Sequence, residues 1–391
     1  MSHDGTSASL FPMLPPQLSG LARLAAEAEK LNDGHLVEFR VMKVRSILNR
    51  SVSKRRLSLA YSINPYRGCE FGCRYCYARY THEFLAPKAA SGRMVREQDG
   101  AVGTVPGADT GAESDPAPGS ADISLRDPEA FERVIFLKEN AAWLLEQELK
   151  KIDPADEVAL GTATDPYQPI ERRAKITRSL LEVFARRSGY RLGIVTKSKL
   201  IERDIDLLAQ IGRRNTLVVH VTITTGDTEL ARILEPRAPR PDLRFAAVKA
   251  LRAAGITAGI LCSPLLPGIT DTANALDEMA RQAAAVEASF FAAQPLFLKS
   301  CSRPTYLSFV REHFPHLVGE YEERFAARDF ATIEYSREMA RMVRKVCTRY
   351  GLRERSLDAL LTRMPEFSGT GGIQRTPPAN VGAVRQARLF G

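Results

Sequence analysis

The sequence predicts an α/β fold of parallel βαβ units, closer to an incomplete (β/α) barrel than to a doubly wound sheet, with a helical C-terminal extension. Short apolar runs rich in β-branched residues alternate with segments of helical period, which is the pattern of βαβ repeats. Polar residues gather where each apolar run stops, as on the functional face of a parallel sheet. Beyond about residue 300 only helical patterns continue.

Residues 1–43 read as a leader with a short amphipathic helix over 18–31. The core spans 44–300, with strands expected at 57–63, 157–164, 191–196, 216–224, 257–263 and 289–297. Helices over 172–185, 201–211, 243–254 and 273–285 fill the gaps between the later strands. Within the core, 91–125 is rich in Gly, Ala, Ser, Pro and Asp, too poor in large apolar groups to offset the entropy of ordering, and is expected to be a disordered insertion. A helical region follows over 301–367, including a lid, cap or stabilising bundle, and 368–391 reads as a flexible tail.

A chain of 391 residues with 44% apolar content supports a substantial core. It shows no apolar run of membrane-spanning length and no secretory signal pattern, so a cytoplasmic protein without membrane association is expected. Six cysteines, three of them within eight residues, suit metal binding or catalysis in a reducing compartment better than a disulfide framework. The net charge of +9 is unevenly placed. Between Phe39 and Cys69 there is no acid, while Arg40, Lys43, Arg45, Arg50, Lys54, Arg55, Arg56 and Arg67 all fall there. Such a run suits a phosphate-backbone groove, and equally an ordinary solvated face.

At the strand ends stand Thr164 and Asp165, then Thr196, Lys197 and Ser198, then Thr222, Thr224 and Thr225, then Ser263, then Gln294. Loop solvation accounts for some of these, less readily for Lys197 together with Asp165. The chemistry centres on SINPYRGCEFGCRYCYAR, where Cys69, Cys73 and Cys76 have the spacing Cys-x3-Cys-x2-Cys. Soft thiolates suit an iron–sulfur cluster or zinc. Three ligands to a four-iron cubane leave one iron open to a cofactor or substrate. Gly68 and Gly72 let the backbone wrap closely, and Tyr75 supplies a ring that shields one face from water. Zinc, with His82 as a fourth ligand, is the competing reading. Cys347 belongs on a helix over 337–350 as a core residue, whereas Cys262 and Cys301 lie near strand ends and are either small buried hydrophobes or redox groups.

The cysteine loop, with an aromatic before its third cysteine, resembles the signature of the radical S-adenosylmethionine (SAM) superfamily. Its order of motifs, NPYRGCEFGCRYCYARY, GTATDPYQPIE, VTKS, LEPRAPRPDLRFAAVKALRAAGI and PLLPGITD, resembles the group related to spore photoproduct lyase over about residues 44–300. The resemblance implies a partial (β/α)6 barrel, a 4Fe-4S cluster on Cys69, Cys73 and Cys76, and S-adenosyl-L-methionine at the open iron. It further implies an electron donor such as flavodoxin or ferredoxin and a 5′-deoxyadenosyl radical that abstracts hydrogen from a substrate. By similarity, Thr164, Asp165, Lys197, Thr222, Thr224 and Tyr75 are the cofactor-binding positions, and nucleic acid is the expected substrate, in repair or base modification.

One departure bears on the reaction. The family's lyase returns hydrogen from a cysteine just before its cofactor-contacting pair, and the matching position here is Thr162. Repair by that path is therefore not expected, and Cys262 is the candidate catalytic hydrogen donor. The chain ends QARLFG, and Gln386, Leu389 and Phe390 resemble a sliding-clamp docking peptide, a short match that chance also produces. Two further readings are a radical enzyme on a peptide or small molecule, and a non-catalytic iron–sulfur or zinc module that binds nucleic acid.

Overall fold

The computed structural model describes residues 20–26, 28–31, 37–50, 59–85, 124–125 and 127–354. Lys54, Arg55 and Arg56, nearly all of the 91–125 stretch, and the tail carrying Gln386, Leu389 and Phe390 lie outside them.

Six strands form one parallel series: β1 (Leu59–Ile63), β2 (Glu157–Leu160), β3 (Arg191–Thr196), β4 (Thr216–Thr222), β5 (Ala258–Leu265) and β6 (Phe291–Pro295). Each pairs in parallel with the next, so their spatial order equals their chain order. A doubly wound sheet reverses order at a switch point. This series never reverses, which makes it a singly wound partial (β/α)6 barrel. An antiparallel strand, Leu48–Arg50, pairs with β1 at the edge.

The crossovers carry α1 (Ala141–Glu148), α2 (Ile176–Ala185), α3 (Ile205–Arg214), α4 (Pro241–Ala253) and α5 (Ala273–Ala285). Local chemistry sets several of their starts. Pro241 begins α4, where a missing N–H costs nothing. The Thr272 hydroxyl caps α5 by accepting from the Ala275 amide. The helix expected over 172–185 is instead broken at Lys175, which takes a left-handed conformation at φ 51°. Glu171 explains the break: its buried carboxylate accepts from the amides of Thr177 and Arg178, capping α2 from across the interruption.

Side chains from β2, β3, β4 and β5, among them Val158, Leu160, Ile194, Val219 and Ile260, are fully buried against the helices in one continuous core. A second apolar cluster joins the cysteine loop to α6 (Arg303–His313) and α7 (Val318–Phe325) through Phe71, Leu266, Leu296, Tyr306, Tyr321 and Phe325. The last helix, α8 (Ile333–Tyr350), is capped by Thr332 and ends at Gly351 in a left-handed turn. Cys347 is buried on it, as the sequence suggests, and Arg349 and Tyr350 bind Asp277 of α5. Two helices of the extension, α6 and α7, thus pack on the cysteine loop, while α8 packs against β6 and α5.

A small second sheet, absent from the sequence reading, orders Glu29–Leu31, Glu38–Met42, Val134–Lys138 and Tyr66–Arg67. Its first strand occupies residues that the sequence places in a helix over 18–31, of which Gly20–Ala26 alone is helical among the described residues.

Candidate active site

The cysteine loop leaves the carboxyl end of β1 and is bolted to its surroundings by groups other than its thiols. Glu70 donates its amide to Gln168 Oε1 (2.8 Å) and accepts from the Ile170 amide (2.7 Å). The Arg74 amide donates to Leu234 O (2.9 Å) and the Cys69 amide to Phe131 O (2.9 Å). Arg79, paired with Glu132, donates to Cys73 O (3.1 Å), and Ser302 Oγ donates to Cys76 O (2.7 Å). Gly68 lies at φ 83°, where an added Cβ would meet Phe131 O and Val134 O at 2.8 Å, so only glycine fits.

Cys69 and Cys73 are buried and Cys76 is half-buried, and desolvation pushes each thiol above its ordinary range, Cys73 to about 12. Opposing this are the Phe71 amide at Cys69, the Ala78 amide at Cys76, Lys197 facing Cys73 and Cys76, Arg79 facing Cys76 and Arg244 facing Cys73. Bare, these are neutral thiols. The amides and cations around them suit the negative charge that thiolate ligands and sulfides bring.

Among the described residues, no three His, Cys, Asp or Glu side chains gather closely enough to chelate one ion. Thiolates sharing one zinc stand about 3.8 Å apart, as 2.3 Å bonds at tetrahedral angles require. A multi-iron cluster, with one cysteine per corner, spreads its ligands wider. His82 is also otherwise engaged. Its Nε2 donates to Val134 O (2.9 Å), its ring packs against Phe131 and Phe136, and burial pulls its pKa down to about 4. The donor set fits an iron–sulfur cluster and does not fit zinc with His82.

Thr164, Asp165, Thr196, Lys197 and Thr224 converge from three strand ends, with a division of labour that the sequence does not show. Thr164 Oγ1 donates to Gly68 O (2.5 Å), tying β2 to the cysteine loop. Asp165, whose pKa burial raises, accepts from Thr196 Oγ1 (2.7 Å) and the Tyr167 amide (2.9 Å) on one oxygen and from the Lys197 amide (2.7 Å) on the other. Thr164 and Asp165 therefore clamp loop and strands together. Lys197 Nζ extends to within 3.7 Å of Glu235 and lies 5.6 Å from the Tyr75 ring centre. Tyr75 donates to Glu235 and stands 2.7 Å from Thr224 Oγ1, which is itself 2.9 Å from Glu235.

Glu235 and its buried partner Arg244 are the residues that sequence reasoning missed. Burial alone would raise Glu235, but Arg244, Lys197 and the Tyr75 hydroxyl hold it down at about 2. A signal was present: LEPRAPRPDLR places a glutamate nine residues before an arginine on the first turns of a helix. Arg244 also donates to Thr222 O (3.2 Å). Cys262 sits in the barrel core with its thiol 3.8 Å from Thr224 O, and burial raises it to about 12. Thr162 Oγ1 accepts from Asn64 (3.3 Å). Cys301 is half-buried beside Ser302.

A loop of three cysteines on the first strand of a singly wound six-stranded barrel, with strand-end polar groups converging on it, has a counterpart in sequence families: the model of the Radical SAM superfamily matches residues 63–281. The chain belongs to the radical SAM superfamily. An uncharacterized protein of Mycobacterium tuberculosis is 30% identical over 317 residues, covering 81% of this chain and 82% of its own. An uncharacterized protein of Methanocaldococcus jannaschii is 26% identical over 218 residues, 56% of this chain and 65% of its own. Among solved structures, a spore photoproduct lyase mutant with dinucleoside spore photoproduct gives a TM-score of 0.51 at 15% identity, covering 80% of this chain and 79% of that one. At that identity the likeness is one of fold. This radical SAM enzyme thus combines the superfamily's cysteine loop with a lyase-like barrel, and no helix among its described residues is long and apolar enough to cross a membrane.

Proposed function

We propose that this radical SAM enzyme acts on nucleic acid, holding a 4Fe-4S cluster on Cys69, Cys73 and Cys76. The observation that carries the chemistry is the preformed loop that sets buried Cys69 and Cys73 and half-buried Cys76 together, with Lys197 facing Cys73 and Cys76 and paired with Glu235 beside Tyr75. When bound, the cluster and S-adenosylmethionine supply a 5′-deoxyadenosyl radical. The chain's own part is placement and exclusion of water. The Lys197 ammonium, anchored at its amide by Asp165 and drawn to Glu235, suits a cofactor carboxylate. The Tyr75 ring closes one side of the loop.

Support for nucleic acid comes from charge and fold likeness. The net charge of +9 favours a polyanion, and a solved structure of similar fold, at a TM-score of 0.50, is a spore photoproduct lyase mutant with bound AdoMet and dinucleoside spore photoproduct. Of the basic run, Lys43, Arg45 and Arg50 are exposed, whereas Arg40 is paired with Glu38. Cys262, kept protonated by burial, is the proposed hydrogen donor.

Protein reconstituted anaerobically, with iron and sulfide quantified, is expected to form 5′-deoxyadenosine from S-adenosylmethionine on reduction. DNA or RNA should change that yield, and replacing all three loop cysteines by serine should abolish it. Zinc in place of iron, or activity surviving the triple replacement, would sink the chemistry. Turnover unchanged by Cys262→Ala would remove that residue from it.

A further inference from the structure

Beside the cysteine loop a line of aromatic rings runs outward to the surface. Tyr77, next to Cys76, lies 6.0 Å from Phe297, just beyond the end of β6. Phe297 stacks on Phe330 at 4.4 Å with 19° between the planes, and Phe330 is exposed. Lys299 Nζ stands 4.1 Å from the centre of Tyr80 and 6.0 Å from that of Phe297, and Tyr80 meets Phe84 edge-on at 6.0 Å. Phe84 and Phe330 are two of the four large apolar side chains exposed among the described residues, the others being Trp143 and Ile333. Scattered exposed apolar groups are ordinary; two ring pairs meeting at one lysine, each ending in an exposed phenylalanine, are not.

The ledge is also rigid. Phe297 and Phe330 form an antiparallel bridge, and the Leu298 amide donates to Asp329 O (2.9 Å). Two cations border it. Lys299 makes no ion pair among the described residues, nor does Arg67, which sits beside Tyr80 with a buried Nε lacking a partner. Flat rings beside cations that have no ion pair among the described residues match a ligand that alternates planar bases with phosphates. An apolar peptide would leave both cations unpaired.

We propose that the ledge formed by Tyr77, Phe297 and Phe330, with Tyr80, Lys299 and Arg67 beside it, binds an unpaired nucleotide strand by stacking and guides it to the reaction centre. The inference rests on the nucleic-acid reading above and deepens it: the substrate is presented single-stranded or with its bases turned out. Stacking draws on any base, so the ledge supplies position and strand preference, with little sequence preference.

Fluorescence anisotropy of the full-length protein with labelled single-stranded DNA, single-stranded RNA and matched duplex, across a salt series, tests this. Wild type is expected to prefer single strands. Phe330→Ala should weaken that binding roughly tenfold or more with an unchanged salt slope, because a ring carries no counterion, and Phe330→Tyr should restore it. Lys299→Gln should lower the slope by about one. If Phe330→Ala, with an unchanged thermal melt, binds as wild type does, or if it slows only reduction of the protein by an acidic electron donor, the ledge proposal is overturned while the nucleic-acid reading stands. Absence of salt-sensitive binding by wild type to any of the three probes would overturn both.

Discussion

Glu235 shows what one residue does at this site. Its carboxylate gathers Arg244, Lys197, Tyr75 and Thr224, so a single buried acid sets the direction of a cation and of the ring next to two cysteines. Removing one member of a buried pair leaves the other's charge without compensation, at a cost of about 3–5 kcal/mol. Glu235→Gln is therefore expected to destabilise the protein by an amount in that range, because Arg244, only 1% exposed, keeps its charge. Adding Arg244→Met should recover a large part of the loss. A double-mutant cycle by chemical denaturation checks this, and additive single effects would contradict it.

At the scale of the element, the cysteine loop owes its shape to two glycines with different neighbours. Around Gly68 a Cβ would strike the Ile135 side chain and two backbone carbonyls, which cannot move aside; around Gly72, at φ 62°, the nearest is the tip of the Arg237 side chain at 2.9 Å. Gly68→Ala should cost more than about 2 kcal/mol, backbone strain plus collision, and should abolish iron incorporation. Gly72→Ala pays the strain of its φ alone once Arg237 swings away, and is expected to retain iron. Thermal melts and iron content of the two variants separate these outcomes. The loop and the six strands are legible in the sequence because cysteine spacing and apolar runs are local signals. The small sheet is not, since strands such as Glu29–Leu31 and Tyr66–Arg67 are three and two residues long, too short for a period to show. The break at Lys175 escapes for a related reason: helical period persists across it, and only the buried Glu171 carboxylate reveals a second helix start. Lys197 was readable as a strand-end cation, whereas its orientation depends on Glu235, thirty-eight residues on.

For the whole molecule, the link between the small sheet and the barrel predicts how stability depends on pH. His82 holds Val134 O of the small sheet and lies against Phe131 and Phe136, with the cations Arg67 and Arg79 adding to the effect of burial. Its pKa falls from 6.5 to about 4 on folding. Between those values the unfolded chain binds the proton and the folded one does not, so stability rises with pH across the window. The contribution is fully present above pH 6.5 and is lost as pH falls toward 4, by about 3 kcal/mol at 1.36 kcal/mol per pH unit. Glu235, held near 2 in the fold against 4.5 in the unfolded chain, adds a slope of the same sign below about pH 5, but wild type and His82→Gln share it and it cancels in their difference. His82→Gln keeps a donor for Val134 O but has no charge to gain. The stability difference between wild type and His82→Gln, measured by urea denaturation of the metal-free protein, should therefore move toward the variant by about that amount from pH 7 to pH 4. A difference independent of pH would mean that His82 accepts its proton in the folded state, and that the seam between sheet and barrel is open to water.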